Sequence, residues 1–191
     1  MGRWGRAATA VALTGVTLVG TAGAAWAKCG IVEKPTATAG CSTVWGSGTE
    51  SATEAVTDRL ENIRTGPHAC FDRVVLDIPG ADGRAGYHVG YVDAFHQDGT
   101  AEPIPVAGGA VLEIRVNAPG YDPATGRPVY PGRAGEPLPG VDITGYRTFR
   151  DTRFGTTVEG QTQVAMGVRA ELPFRVFRYG DHVIVDVAHT R

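Results

Sequence analysis

Serine and lysine are scarce in this sequence. Of its 191 residues, the only serines are Ser42, Ser47 and Ser51, and the only lysines are Lys28 and Lys34. None of these serines lies in the Gly-x-Ser-x-Gly turn that exposes the nucleophile of an α/β-hydrolase. The composition therefore excludes a serine hydrolase of that type and leaves arginine as almost the only basic residue.

Motifs for metals and cofactors are missing as well. None of the histidines forms the His-x-x-x-His or His-Glu-x-x-His pair that places two metal ligands on one helix turn. The five histidines are His68, His88, His96, His182 and His189. His88 and His96 have the same strand parity. Their side chains could therefore lie on one face of the sheet, but this alone does not predict a metal site. The glycines at positions 80, 83 and 86 lack the spacing of a dinucleotide loop. The sequence predicts no metal, no cofactor and no catalytic residue.

The charge balance argues against a nucleic-acid partner. The chain has 18 basic and 20 acidic residues, a net charge of −2. Residues 1–27 hold two arginines and no acid, so the remainder has 16 basic against 20 acidic residues, or −4. A nucleic-acid-binding domain would be clearly basic.

The first 27 residues are typical of a secretory signal. A basic start and an uncharged run over residues 7–20 precede two small residues, Ala25 and Ala27, at the predicted cleavage point. Glycine and threonine interrupt the run and no basic stop follows it, which disfavours the alternative of a membrane anchor. Lys28 precedes Cys29 where a lipobox requires a small residue, so a freely secreted protein is expected.

Three segments are predicted along the chain. Residues 1–27 form the signal, residues 28–59 form a flexible leader rich in Thr, Ser, Ala and Gly, and residues 60–191 form the folded domain. The 164 residues left after cleavage (191 minus 27) suffice for one domain with its own core.

All three cysteines lie beyond the predicted cut, in an oxidising compartment where one pair is expected. Chain entropy barely separates the pairings, since a Cys41–Cys70 bridge is worth about 3.5 kcal/mol and a Cys29–Cys41 bridge about 3. Cys70 lies at the edge of the folded domain, and Trp45 closely follows Cys41. We favour Cys41 with Cys70, which would pin the Trp45 segment to the domain and leave Cys29 free.

Short alternating segments separated by Gly and Pro turns fill the folded domain. Strands are predicted over residues 60–65, 71–78, 87–95, 110–117, 141–150, 154–159, 161–172, 173–179 and 182–187. A short helix through Val56, Leu60 and Ile63 is the alternative to the first strand. Six prolines make residues 118–140 a long loop, either functional or disordered. Because no helices interleave, we expect an all-β fold, an antiparallel β-sandwich of about eight short strands with this long Pro/Gly-rich loop.

Arginine carries the predicted binding chemistry. Guanidinium groups bind carboxylates and phosphates at two points, which suits anionic wall polymers or peptide-stem carboxylates. The candidate ligand-binding residues are Arg73, Arg147, Arg150, Arg169 and Arg175. The alternative, a sheet face whose arginines pair with acids, is the more common arrangement.

Two catalytic alternatives remain in the sequence. Any fold can bring a carboxylate pair together for sugar hydrolysis. The candidate carboxylates are Asp72, Asp93, Asp142, Asp151 and Glu159. Cys70 with His68 would supply a thiolate, but a disulfide is the commoner fate of a secreted cysteine.

A series of short motifs resembles the actinobacterial AMIN-like domain proteins from about residue 60 to the end. The motifs are Ile63-Arg-Thr-Gly66 with His68, Cys70-Phe-Asp-Arg-Val-Val75, Gly-Tyr87-x-Val-x-Tyr91-Val92, Thr148-Phe-Arg150, Val158-Glu-Gly-Gln-Thr162, Gly167-Val-Arg-Ala170, Leu172-Pro-Phe-Arg-Val176 and Val185-Asp-Val-Ala-His189. The resemblance implies a secreted or lipid-anchored protein with a small β-sandwich that binds peptidoglycan. It supplies no catalytic residues.

We therefore expect a secreted, non-catalytic module that associates with the cell wall, its partner being peptidoglycan or another anionic envelope polymer. The alternatives are a secreted hydrolase with an Asp/Glu pair and a protein-docking domain that uses the loop over residues 118–140.

Peptide mapping without reduction tests the cysteine prediction. We expect a cross-linked peptide that contains Cys41 and Cys70 and a peptide in which Cys29 is unpaired. A bridge that includes Cys29 would refute the assignment.

Overall fold

The structure, a computed structural model, describes residue 41, residues 44–54 and residues 58–191. Nine β-strands form there: β1 (Glu50–Ala52), β2 (Asn62–Pro67), β3 (Phe71–Asp77), β4 (Tyr87–Val92), β5 (Ala110–Val116), β6 (Phe149–Val158), β7 (Gln161–Val168), β8 (Phe174–Tyr179) and β9 (His182–Ala188). The described residues form no helix, so none of them offers an apolar helix of membrane-spanning length.

The strands form two antiparallel sheets. One sheet has five strands in the order β1-β4-β5-β7-β6, and the other has four in the order β2-β3-β9-β8. The two sheets share one hydrophobic core, which contains residues from both. This arrangement is a β-sandwich, and it confirms the predicted fold class.

Alternation along the strands supplies the core. Val74 and Leu76 of β3 face inward and are fully buried, as are Leu112 and Ile114 of β5 and Val185 of β9. Full burial of each such side chain stabilises the fold by about 1.5–3 kcal/mol. The intervening residues of the same strands face outward, so each sheet has a second face that is available for other contacts.

One acidic side chain, Asp72 of β3, points into this core and is fully buried. Its Oδ2 accepts the backbone N–H of Thr148 at 2.6 Å and that of Phe149 at 3.2 Å, where β6 begins in the opposite sheet. Its Oδ1 lies 3.0 Å from Nε2 of His189, which follows β9 and is also buried. Since a carboxylate only accepts, this nitrogen donates. Asp72 therefore links the two sheets by two hydrogen bonds, and its third bond holds His189, which follows a strand of its own sheet.

The loop between β4 and β5 covers part of the outer face of the five-stranded sheet. Phe95 and Ile104 of this loop pack on Ala165 of β7 in a small separate cluster. Beside it, Nε2 of the buried Gln163 donates to Oε1 of Glu113 at 2.6 Å. The loop therefore shields this part of the outer face from solvent.

The prediction of a strand over residues 141–150 is wrong for its first eight positions, because β6 begins at Phe149. Oδ1 of Asp142 accepts the backbone N–H of Thr144 at 2.8 Å, and Gly145 has a φ of 80°. Side-chain capping and a left-handed glycine favour a turn here over the alternation of apolar residues.

The proline-rich loop over residues 118–140 is ordered and packed. Tyr130 and Leu138 are buried in the main core. The backbone N–H of Phe154 donates to the carbonyl of Glu136 at 2.9 Å, so the loop also covers the edge of β6. A disordered loop is thereby excluded.

β2 confirms the strand that was predicted there, against the alternative of a short helix, although it spans Asn62–Pro67 and not residues 60–65. β1 was not predicted at all. With three residues, β1 is too short to show an alternating pattern.

Replacing Asp72 by Asn tests the link between the sheets. The amide group keeps one acceptor oxygen but places a donor against groups that already donate, so we expect a loss of about 3 kcal/mol in the free energy of unfolding. Urea unfolding monitored by circular dichroism measures it. Asp93→Asn, at an exposed position after β4, is the matched control and should change the free energy by less than about 0.5 kcal/mol. Equal stability of the two variants would contradict the role of Asp72.

Candidate functional site

The outer face of the four-stranded sheet carries a group of aromatic and arginine side chains around one carboxylate. Phe71 and Arg73 of β3 lie there because they alternate with the inward-facing Asp72 and Val74. We call the group the aromatic–arginine cluster; it consists of Trp45, Phe71, Arg73, Arg175, Phe177 and Asp186.

Asp186 is the centre of the cluster. It lies opposite Arg73 in the β3–β9 pairing and opposite Arg175 in the β8–β9 pairing, and it has no exposed surface. Its Oδ1 accepts from Nε of Arg73 at 2.6 Å, and its Oδ2 accepts from Nη2 of Arg73 at 2.8 Å. Nε and Nη2 of Arg175 lie 2.9 and 2.7 Å from the same Oδ2. One carboxylate thus holds two guanidinium groups, which leaves one excess positive charge.

The pKa of Arg73 is raised, chiefly because its guanidinium donates to Asp186. The hydrogen bond and the carboxylate charge both favour the protonated form. Arg73 therefore stays a cation at any physiological pH.

Aromatic rings hold the two guanidinium groups. The Arg175 guanidinium carbon lies 4.4 Å from the centroid of the Trp45 ring and 5.1 Å from that of Phe177. The Arg73 guanidinium carbon lies 5.2 Å from the Phe71 centroid and 5.5 Å from Phe177. These distances are within the range of about 6 Å over which a ring attracts a cation. Stacking fixes the plane of each guanidinium before any ligand arrives.

Trp45 reaches the cluster on a segment that the domain anchors at several points. Cys41 and Cys70 form the predicted disulfide, which attaches the segment just before β3. The Gly46 carbonyl accepts the N–H of Phe174 at 2.8 Å, at the outer edge of β8. These bonds place the tryptophan ring over Arg175.

A pocket of about 430 Å³ lies beside Trp45, at the end of the cluster. Its wall includes Trp45 and Pro173, which are apolar, and the polar or charged residues Ser47, Glu171 and Arg191. This volume is within the range of about 300–1,000 Å³ that is typical of small-molecule sites. Trp45 is the residue that the pocket and the cluster share.

The structure brings together only two of the five predicted arginines, Arg73 and Arg175. Arg147 is exposed, and its Nη1 lies 3.5 Å from the Ala69 carbonyl, near the disulfide. Arg150 donates to the carbonyls of its own turn, with Nη1 2.9 Å from that of Phe149.

Arg169 donates to the carbonyl of His189 and fastens the end of β7 to the end of β9. Two other late arginines pair with acids elsewhere, Arg153 with Asp151 and Arg178 with Glu54. The late arginines therefore do not line one groove.

Three of the five carboxylates considered for sugar hydrolysis have structural roles. Asp72 is buried, and Oδ2 of Asp151 accepts the backbone N–H of Ala107 at 2.8 Å. Asp142 caps a turn, and the hydrogen bond from the Thr144 N–H lowers the pKa of this exposed carboxyl group.

The other residues considered for catalysis do not form an active site. Cys70 is in a disulfide, so it is not a thiolate nucleophile, and the His68 ring stacks on Phe71 at 4.5 Å between centroids. The described residues contain no group of three or more His, Cys, Asp or Glu side chains arranged to hold a metal ion.

Phe71 and Phe177 are members of the site that were not predicted from the sequence. Both share strand parity with a candidate arginine, Phe71 with Arg73 and Phe177 with Arg175. An outward-facing alternation of aromatic and arginine residues was the signal that would have found them. Asp186, which binds both arginines, lies more than a hundred positions from Arg73 in the sequence.

A comparison with protein-family models matches residues 58–189 to the AMIN-like domain. This match covers more than half of the chain. The chain belongs to the AMIN-like domain family. AMIN-like domains are generally cell-wall or peptidoglycan-binding modules. A search of curated proteins and a search of solved structures gave no significant match.

The motifs that resemble the AMIN-like domain bond to one another in the structure. Asp72 of the first long motif binds the Thr148 motif and His189 of the last motif. The Tyr91 hydroxyl donates to the carbonyl of Leu172 at 2.7 Å and accepts its N–H at 2.9 Å. These motifs therefore describe the framework of the sandwich and, through Arg73, one part of its outer face.

Replacing both Cys41 and Cys70 by Ser tests the anchoring of Trp45. In a chain with Trp4→Phe and Trp26→Phe, the emission of Trp45 should shift to longer wavelength and its quenching by acrylamide should increase. The free energy of unfolding should fall by about 3.5 kcal/mol, because the loop is no longer closed.

The matched control is Cys29→Ser in the same background, which leaves the bridge in place and should leave the emission unchanged. If the double cysteine variant also keeps the wild-type emission, the disulfide does not position the tryptophan.

Proposed function

We propose that this protein is a secreted, non-catalytic module that binds peptidoglycan through the outer face of its four-stranded sheet. The observation that carries the proposal is the aromatic–arginine cluster on that face. Membership of the AMIN-like family supports the ligand, since domains of this family are generally cell-wall or peptidoglycan-binding modules.

The chemistry of the cluster suits this ligand. Peptidoglycan combines sugar rings, whose C–H faces pack against aromatic rings, with carboxylates, which guanidinium groups bind at two points. Arg175 and Arg73 supply the guanidinium groups, and Trp45, Phe71 and Phe177 supply the rings. Of the five predicted ligand-binding arginines, we retain these two as contacts, because Arg150 and Arg169 bind backbone carbonyls.

Secretion is supported by two features. The first 27 residues have the charge, apolar run and small residues of a cleaved signal. The Cys41–Cys70 disulfide requires an oxidising compartment to persist. A role outside the cytoplasm agrees with a ligand in the cell wall.

Co-sedimentation with purified sacculi tests the proposed function. We expect the wild-type protein to be retained at moderate salt well above a control protein of similar charge. Arg175→Gln should weaken retention about tenfold, since a hydrogen bond to a charged group is worth about 1.5–3 kcal/mol.

The matched control is Arg127→Gln, which removes the same charge from an exposed position in the proline-rich loop. It should leave retention unchanged. Failure of the wild-type protein to sediment with sacculi would refute the function, and an equal loss in both variants would refute the site.

A further inference from the structure

We infer that the pocket beside Trp45 and the guanidinium group of Arg175 together form a subsite for one carboxylate-bearing sugar unit of a glycan strand. The sugar ring lies against Trp45, and its carboxylate binds Arg175. This inference rests on the proposed function and adds the chemistry of the recognised unit.

The position of Trp45 joins the two parts of the subsite. Its ring is half-buried and stacks on Arg175, with 4.4 Å between the ring centroid and the guanidinium carbon. The same residue lines the pocket of about 430 Å³, together with Pro173. A ring-shaped ligand in this pocket would therefore contact Trp45, whose own ring contacts the Arg175 guanidinium group.

The charges favour an anion on the guanidinium side. Arg73 and Arg175 share the single carboxylate of Asp186, so one positive charge is not neutralised within the cluster. Their bonds to Asp186 use Nε and Nη2 and do not involve Nη1. Within the pocket itself, Glu171 and Arg191 carry opposite charges.

Arg175 is the better placed of the two arginines to contact a ligand. Its side chain is 42% exposed, against 25% for Arg73. Contacts with Trp45 and Asp186 fix the plane of the Arg175 guanidinium group. Arg175 therefore loses little rotamer entropy when it binds a ligand. The anionic groups of peptidoglycan are carboxylates, which match this planar donor.

A fluorescence titration tests the inference. The protein is the full chain with Trp4→Phe and Trp26→Phe, so that Trp45 is the only tryptophan. One probe is the disaccharide of N-acetylglucosamine and N-acetylmuramic acid with its lactyl carboxylate free, and the other is neutral N,N′-diacetylchitobiose. We expect both to change the Trp45 emission, with the carboxylated disaccharide binding at least about tenfold more tightly at low salt, as one charge-assisted contact implies.

The same titration with variants assigns the preference to Arg175. Arg175→Gln should bring the affinity ratio of the two probes close to one, and Arg175→Lys should recover only part of the preference, because a lysine lacks the planar fork. Arg127→Gln should keep the wild-type ratio. The comparison of the two sugars needs no substitution at Arg175, so it remains decisive if an Arg175 variant fails to fold.

Three results would overturn the inference. They are equal affinity for the two sugars, no Trp45 response to the carboxylated disaccharide at millimolar concentration, and tighter binding of a glycerol-phosphate polymer than of the carboxylated disaccharide. If any of these occurs while sacculi still retain the protein, the inference fails and the proposed function stands. Loss of retention by sacculi refutes the proposed function itself.

Discussion

The buried carboxylate of Asp72 is the interaction on which the rest of this sandwich depends. Burying an isolated charge costs several kcal/mol, so the residue is tolerated only because it receives three hydrogen bonds. Two of its donors are backbone N–H groups at the start of β6 in the opposite sheet, and the third is His189 after β9. A hydrophobic core alone would allow the two sheets to slide, whereas these directional bonds fix one relative position.

The start of β3 and the residue before it connect the core to the outer face. Cys70 forms the disulfide, Phe71 and Arg73 face outward into the cluster, and Asp72 faces inward between the sheets. A shift of one residue in the β3–β9 pairing would expose Asp72 and bury Arg73 without its partner Asp186. The fold and the candidate site are therefore set by one register.

Much of the fold could be predicted from the sequence, because alternation and turn chemistry are local properties. They predicted the all-β class and most of the strands, and the distribution of cysteines predicted the Cys41–Cys70 bridge. The local signal failed at residues 141–148, where Asp142 and Gly145 impose a turn on an alternating segment. It also failed at β1, whose three residues are held by pairing with β4.

The site was less accessible to sequence reasoning, because its contacts join distant residues. Which acid an arginine meets depends on strand pairing, and the pairing of Arg73 with Asp186 spans more than a hundred positions. The five candidate arginines looked alike in the sequence, yet Arg150 and Arg169 stabilise backbone carbonyls while Arg175 stacks on Trp45. Strand parity predicts which arginines face outward. Whether an outward-facing arginine remains available for a ligand depends on its neighbours on the adjacent strands, which the sequence does not reveal.

The balance of charge in the cluster also limits how it binds. Two guanidinium groups against one buried carboxylate leave a single positive charge in a chain whose net charge is −2. Such a site does not attract polyanions strongly over long distances, since salt screens exposed charges beyond about 8 Å. Under the proposed function, selectivity would instead come from fixed geometry: the rings set the plane of each guanidinium, and Asp186 sets its position. A module of this kind would bind one unit weakly, and a polymer that repeats the unit would provide rapid rebinding at neighbouring units.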